Sequence, residues 1–227
     1  MFTNSIMLHS ERDDLMTTLL LIRHGESEAN RQEIFAGHLD APLQNKGVKQ
    51  AELTAQFIKD NYNVDKVYAS DLQRAYITGK ATADLVGADI EKEINLREIN
   101  CPMWDGVRFD KMHLVDEDKY NSWMNDIGNA QTPGGESVKE LGERVFGAIK
   151  RIAEENPDKT VVIATHATPI RVLQSIIQTG GFDEMKNIPW VSNASVTELF
   201  YDGEFKFGKI SIDKHLGDLK TELPKDV

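Results

Sequence analysis

The 227-residue sequence predicts an α/β fold: a three-layer sandwich with a mainly parallel central sheet, helices on both faces and a cap insertion. Short apolar runs without polar alternation, typical of buried parallel strands, alternate with segments of helical periodicity. Residues 99–135 lack a long periodicity and hold two prolines and two tryptophans. We therefore expect one domain over residues 17–227, with residues 99–135 as its cap, preceded by a flexible N-terminal extension at residues 1–16.

The first predicted unit is a strand followed by a helix. Residues 18–22 (TLLLI) are a short apolar run with the character of a buried strand. Residues 45–60 follow with a helical period. The apolar positions of that period are Val48, Ala51, Ala55 and Ile58.

The second unit begins with the apolar run at residues 67–69. Ser70 and Gln73 then form a capping-box pattern, which predicts a helix that starts at Ser70 and extends to about residue 86. Gly87 is the residue type that ends such a helix. Residues 90–94 are a weaker strand candidate.

The second half continues the alternation after the cap, for which we expect one or two short helices. Ser137 and Glu140 form a second capping box, at the start of an amphipathic helix that ends before Pro157. Residues 160–164 (TVVIA) are the clearest buried strand, and residues 168–178 follow as a helix. The segment VTELFY, an Asp-Gly turn and EFKFGKISI then predict a hairpin.

Composition excludes several classes of protein. Lys and Arg total 26 against 37 Asp and Glu, a net charge of -11 that repels nucleic acid. No apolar run reaches the roughly 20 residues that span a bilayer, and residues 1–16 do not resemble a secretory signal. The single cysteine, Cys101, rules out an internal disulfide framework. We expect a cytoplasmic protein whose natural start could be Met16; the oligomeric state is open, a homodimer through a sheet edge being one arrangement.

Charged and imidazole side chains follow the predicted strands. In open α/β sheets, ligands bind beyond the carboxyl ends of the strands. Arg23 and His24 follow the first strand, Arg74 lies in the first turn after the second, Glu98 follows the third, and His166 follows the fourth. The sequence therefore predicts a cationic site for phosphoryl transfer at one edge of the sheet.

Each of these residue types has a chemical role in that reaction. A neutral imidazole can attack phosphorus and form a phosphohistidine. Guanidinium groups match phosphoryl oxygens, and a carboxylic acid can give a proton to the leaving alkoxide. No His-Glu-x-x-His, His-x-x-x-His or P-loop string occurs in the sequence. We therefore expect neither a metal nor a cofactor.

Five ordered motifs carry a family resemblance. In order they are residues 21–30 (LIRHGESEAN), 37–43 (GHLDAPL), 70–75 (SDLQRA), 133–137 (PGGES) and 165–166 (TH). Together they resemble the histidine phosphatase, or phosphoglycerate mutase-like, superfamily, over about residues 17–216. The resemblance implies a phosphoglycerate mutase-like α/β domain that acts on a small phosphorylated substrate.

The resemblance also implies a role for each matching residue. His24 would be the phosphorylated nucleophile, and Glu98 the proton donor that later activates water. Arg23, Arg74 and His166 would surround the phosphoryl group. The remaining positions implied to contact substrate are Asn30, Ser27, Gly37 and Ala167.

The segment at residues 96–106 favours the phosphatase branch. Residues 96–99 (LREI) and 104–106 (WDG) are similar to phosphatase members, whereas the mutases carry Glu-Arg-His-Tyr-Gly there and a much longer insertion. The sequence departs from the family pattern at Ala36, Pro102 and Ala167, positions that bear on substrate choice. The alternatives are a mutase and a non-catalytic phosphate-binding module.

Overall fold

The computed structural model of the protein describes residues 16–221, in which a six-stranded sheet lies at the centre. The spatial order is β3-β2-β4-β1-β5-β6. The first four strands pair in parallel, and β5 and β6 add to them in antiparallel. The strands are β1 (Thr17–Arg23), β2 (Lys66–Ala69), β3 (Ile90–Lys92), β4 (Thr160–Thr165), β5 (Val196–Tyr201) and β6 (Phe205–Phe207).

Helices cover both faces of this sheet, which confirms the predicted three-layer architecture. They are α1 (Glu28–Gln32), α2 (Asn45–Asn61), α3 (Gln73–Val86), α4 (Glu117–Asn125), α5 (Val138–Glu155) and α6 (Ala167–Thr179). Successive side chains of a strand point to opposite faces. Accordingly Leu19 and Leu21 of β1 join the core that contains α5, whereas Leu20 and Ile22 join the one that contains Ile58 of α2.

The ends of α5 and α3 show what a capping pattern can and cannot predict. The predicted box of α5 is present, since the Ser137 hydroxyl accepts from the Glu140 amide and the Glu140 carboxylate accepts from the Ser137 amide. The box predicted from Ser70 is wrong: α3 begins at Gln73 without a side-chain cap. Asp40 instead accepts from the Gln73 amide at 2.7 Å, because a neighbouring loop reaches the helix end. The predicted end at Gly87 is confirmed.

Helix α2 forms at the predicted place with a different buried face. Ala51, Ala55 and Ile58 are buried as expected, but Val48 is exposed. Gln50 is buried instead, because its side chain binds the Glu26 amide and the Leu219 carbonyl. Polar groups on this face therefore hold backbone segments against the helix.

The cap contains three short helical elements, one more than the one or two that the sequence predicts. Alongside α4 it has two 3₁₀ helices, Phe109–Leu114 and Ile127–Asn129. The predicted strand at residues 90–94 ends at Lys92, and a 3₁₀ helix, Ile94–Leu96, leads into the cap. Two further 3₁₀ helices, Met185–Asn187 and Lys214–Leu219, flank the final hairpin.

The ends of the chain complete the description. The predicted N-terminal extension lies outside the described residues apart from Met16. At the other end, β5 and β6 form the predicted hairpin, in which β6 is limited to three residues. None of the helices within residues 16–221 combines the length and apolar character that a membrane crossing requires.

Candidate active site

Two histidines lie side by side where β1 and β4 end. Arg23 pairs with Thr165 across the two parallel strands, so the next residues, His24 and His166, leave the sheet at the same point. The His24 amide donates to the Thr165 carbonyl at 3.0 Å. The two imidazole centroids are 5.2 Å apart. The predicted meeting of the two histidines is therefore observed.

His24 is held as a neutral imidazole whose Nε2 forms no hydrogen bond with the described residues. Its Nδ1 lies 2.8 Å from the Gly25 carbonyl, which can only accept, so Nδ1 carries the hydrogen. The lone pair of the neutral ring is then on Nε2. Burial, and next the charges of Arg74 and Arg23, hold the pKa of His24 well below its ordinary value.

Two buried guanidinium groups supply the positive charge of the site. Arg74 is 1% exposed and donates to the carbonyls of Leu39, Ala36 and Gly37 at 2.8, 3.0 and 2.9 Å. Arg23 donates to the Val191 carbonyl at 2.6 Å, while its Nε has no partner among the described residues. Burial lowers the pKa of Arg23 to about 10, which leaves it charged at neutral pH.

Glu98 lies on the same cavity and is fixed by backbone donors. Its Oε1 accepts from the Ile99 amide at 2.7 Å and its Oε2 from the Thr168 amide at 3.2 Å. The Glu98 carbonyl in turn accepts from Arg144 at 2.8 Å. A half-buried salt bridge between Arg144 and Glu136 thus supports the segment that carries Glu98.

His166 is fully buried next to Ser70, a contact that sequence reasoning missed. Its Nε2 lies 2.8 Å from the Ser70 hydroxyl, and its Nδ1 has no hydrogen-bond partner among residues 16–221. Burial, and then the charge of Arg74, hold the pKa of His166 well below its ordinary value. The Ser70 hydroxyl therefore contacts the histidine and also accepts from the amide of Leu72, just before α3, at 3.4 Å, without forming a capping box with Gln73.

Asn30 and Ser27 are joined at the start of α1. The Asn30 Oδ1 accepts from the amide and hydroxyl of Ser27 at 3.1 and 3.0 Å, and from Asn193 at 3.2 Å. These bonds use the carbonyl oxygen of Asn30 and leave its Nδ2 as the donor for a ligand. The hydroxyl of Ser27 is occupied by this cap.

Asn193 is a further polar residue that sequence reasoning missed. Its Nδ2 also donates to the His24 carbonyl at 3.0 Å. It lies just before β5, which runs antiparallel to β1 and therefore begins where β1 ends. The polar residues just before β5 are the signal in the sequence from which a site residue such as Asn193 could be predicted.

Gly37 contacts Arg74 and does not line the cavity. Its amide donates to Asp105 at 2.6 Å, and its carbonyl accepts from Arg74. An added Cβ would lie 2.4 Å from the Ile99 carbonyl oxygen, so a side chain would displace this loop. Gly37 is not among the cavity-lining residues, whereas the adjacent Ala36 is.

A cavity of about 390 Å³ opens over these groups. Its floor is polar, and the rest of its lining is largely apolar, with Phe109 and Trp123 contributed by the cap. His166 lies behind the floor, while Ala167 and Thr168 reach the lining. The lining comprises Arg23, His24, Ser27, Asn30, Glu33, Ile34, Phe35, Ala36, Arg74, Glu98, Phe109, Trp123, Ala167, Thr168, Trp190, Asn193 and Thr221. Within residues 16–221, no group of three or more His, Cys, Asp or Glu side chains is arranged to hold a metal ion.

Comparison with known proteins gives a consistent assignment. The family model of the histidine phosphatase superfamily (branch 1) matches residues 19–210. Phosphoserine phosphatase 1 of Hydrogenobacter thermophilus is 29% identical over 214 residues, covering 93% of this chain and 100% of the relative. A probable phosphoglycerate mutase GpmB of Yersinia pestis is 30% identical, covering 71% and 75%. The solved structure of Bacillus stearothermophilus YhfR superposes with a TM-score of 0.83 at 25% identity, covering 88% and 99%.

Proposed function

The chain belongs to the histidine phosphatase superfamily, and we propose that it is a metal-independent phosphatase that hydrolyses small phosphomonoesters through a phosphohistidine on His24. One observation carries the proposal: the Nε2 lone pair of a buried neutral imidazole lies on a cavity floor beside two buried guanidinium groups. An uncharged nucleophile does not repel a phosphate dianion, and the two cations attract it.

In the first step, the substrate phosphoryl group lies between Arg23 and Arg74. His24 Nε2 attacks phosphorus, the bond from phosphorus to the ester oxygen breaks, and that oxygen takes a proton from the Glu98 carboxyl. The ring then carries positive charge, which the Gly25 carbonyl stabilises through Nδ1–H. The guanidinium groups of Arg23 and Arg74 are already fixed beside the phosphoryl group. They therefore stabilise its charge without reorganisation, which supplies most of the rate enhancement.

In the second step, water replaces the alcohol. The Glu98 carboxylate takes a proton from that water as its oxygen attacks phosphorus, and the bond from phosphorus to Nε2 breaks. Phosphate leaves, and His24 and Glu98 return to their first protonation states. In this scheme the Nδ2 group of Asn30 binds a phosphoryl oxygen, while His166 lies behind the floor of the cavity with its ring 5.2 Å from that of His24.

A phosphoglycerate mutase is the second candidate, since a relative of that name is 30% identical. A mutase must keep water from the phosphohistidine while its substrate turns over, which requires a closed lid. The cap here holds three short helical elements, and such a short cap argues against a lid of this kind. Incubation with 3-phosphoglycerate separates the two candidates, because the phosphatase releases inorganic phosphate and the mutase releases 2-phosphoglycerate.

The direct test is hydrolysis of p-nitrophenyl phosphate in EDTA. We expect activity without added metal and its loss in His24→Ala. His113→Ala is the matched control, because His113 is an exposed cap histidine that packs against Tyr120, outside the cavity lining. Activity that survives His24→Ala, or that appears only with added metal, would refute the proposed mechanism.

A further inference from the structure

The charges of the cavity are distributed unevenly. Its described lining contains two cationic groups, Arg23 and Arg74, and both lie at the phosphoryl end beside His24. The acidic members of the lining are Glu98 and Glu33, and Glu33 is paired with Arg108 at 3.0 Å. The described lining thus offers no third cation for a second anionic group of a substrate.

The apolar part of the cavity lining is tightly packed. Phe35 packs edge-on against Trp123 and Phe109, with ring centroids 5.8 and 6.4 Å away. Ile34 adjoins this cluster in the lining. We call Ile34, Phe35, Phe109, Trp123 and Trp190 the apolar wall.

Trp190 is supported from behind. The Arg171 guanidinium lies 4.1 Å from the centre of its ring, and Arg171 donates to the Ile188 and Lys186 carbonyls. The arginine therefore fixes the indole and is itself held by backbone. The wall is a preformed surface and not a set of loose side chains.

We propose that the preferred substrate has an uncharged apolar leaving group, such as an aryl or arylalkyl alcohol, and no carboxylate; this inference rests on the proposed function. An aromatic group displaces water from the apolar wall and gains ring contacts with it. A carboxylate there would lose hydration without gaining a cationic partner in the described lining. A cavity of about 390 Å³ has room for a group of this kind beyond the phosphate.

Matched alkyl phosphates test the inference. We expect kcat/KM for 2-phenylethyl phosphate to exceed that for O-phosphoserine and 3-phosphoglycerate by at least ~10-fold, mainly through KM. Equal or faster hydrolysis of either carboxylate substrate would overturn the inference while leaving the proposed function intact. Hydrolysis of none of the three would refute the proposed function and this inference with it.

A variant pair locates the preference. Phe109 is a half-buried member of the apolar wall, so we expect Phe109→Ala to reduce the ratio of kcat/KM for 2-phenylethyl phosphate over phosphoserine by ~10-fold. Phe205→Ala is the matched control, since Phe205 is a half-buried aromatic on β6 that packs against Phe146. A ratio that does not change in Phe109→Ala, or that changes equally in Phe205→Ala, would contradict the assignment. The substrate comparison on the unaltered protein decides the inference should Phe109→Ala not fold.

Discussion

Replacing Arg74 by lysine keeps the positive charge and removes the planar guanidinium. Three backbone carbonyls, of Leu39, Ala36 and Gly37, accept from Arg74, which is 1% exposed. A lysine ammonium can retain about one of these bonds. The loss of two charge-assisted bonds at about 1.5 kcal/mol each lowers the free energy of unfolding by roughly 3 kcal/mol.

The same substitution is expected to affect catalysis. The fork of Arg74 would fix a phosphoryl oxygen while it holds the loop at residues 36–39. Loss of one preorganised donor lowers kcat by about 10²- to 10³-fold in other enzymes, so we expect Arg74→Lys to lower kcat/KM by at least ~100-fold. Retained charge is not sufficient, because the flexible ammonium lacks the two parallel donors.

Urea denaturation and p-nitrophenyl phosphate hydrolysis measure the two effects. Ile152→Ala is the control, since it removes a fully buried side chain near the end of α5 and costs about 2–5 kcal/mol without contact with the cavity. We expect this control to lose stability and retain its kcat/KM at temperatures where it is folded. A folded Arg74→Lys protein with kcat/KM within about threefold of the unaltered enzyme would refute the role given to Arg74.

Three further predictions concern the histidines and the helix cap. Hydrolysis should persist as pH falls below 6.5, because the lowered pKa of His24 keeps its nucleophilic neutral form present at lower pH; a kcat/KM profile with an acid limb centred at 6.5 would contradict this. Ser70→Ala should lower kcat by ~10-fold or more with a smaller change in KM, because His166 Nε2 loses its hydrogen-bond partner. Steady-state kinetics that show an unaffected kcat would contradict this role of Ser70. Ser137→Ala should lower the free energy of unfolding by about 1 kcal/mol and leave kcat nearly unchanged, since it removes only the α5 cap. Urea denaturation measures this change, and an unchanged free energy of unfolding would mean that the cap is not stabilising.

Much of the fold follows from local patterns in the sequence. The continuous apolar runs of β1 and β4 predict strands covered on both faces, and both strands are found at the centre of the sheet. Parallel strands end at one edge, so the residues after each strand could be expected to meet. His24 and His166 do so at 5.2 Å, and Arg23, Arg74 and Glu98 line the same cavity.

What could not be predicted depends on contacts distant in sequence. Ser70 fits a capping box locally, yet its hydroxyl bonds to His166, 96 positions along the chain. The five-residue helix α1 is too short to show a period, so no local pattern predicts the Ser27–Asn30 cap. Trp190 reaches the cavity from an irregular segment whose path no local pattern specifies.

The central claim is that His24 Nε2 receives the phosphoryl group. Rapid acid-free quenching of the enzyme with a ³²P-labelled substrate, followed by peptide mapping and ³¹P NMR, tests it directly. We expect a base-stable, acid-labile phosphoryl group on Nε2 of His24, with Nδ1 left bonded to the Gly25 carbonyl. Label on another residue, or on Nδ1, would contradict the account, as would turnover in His24→Ala.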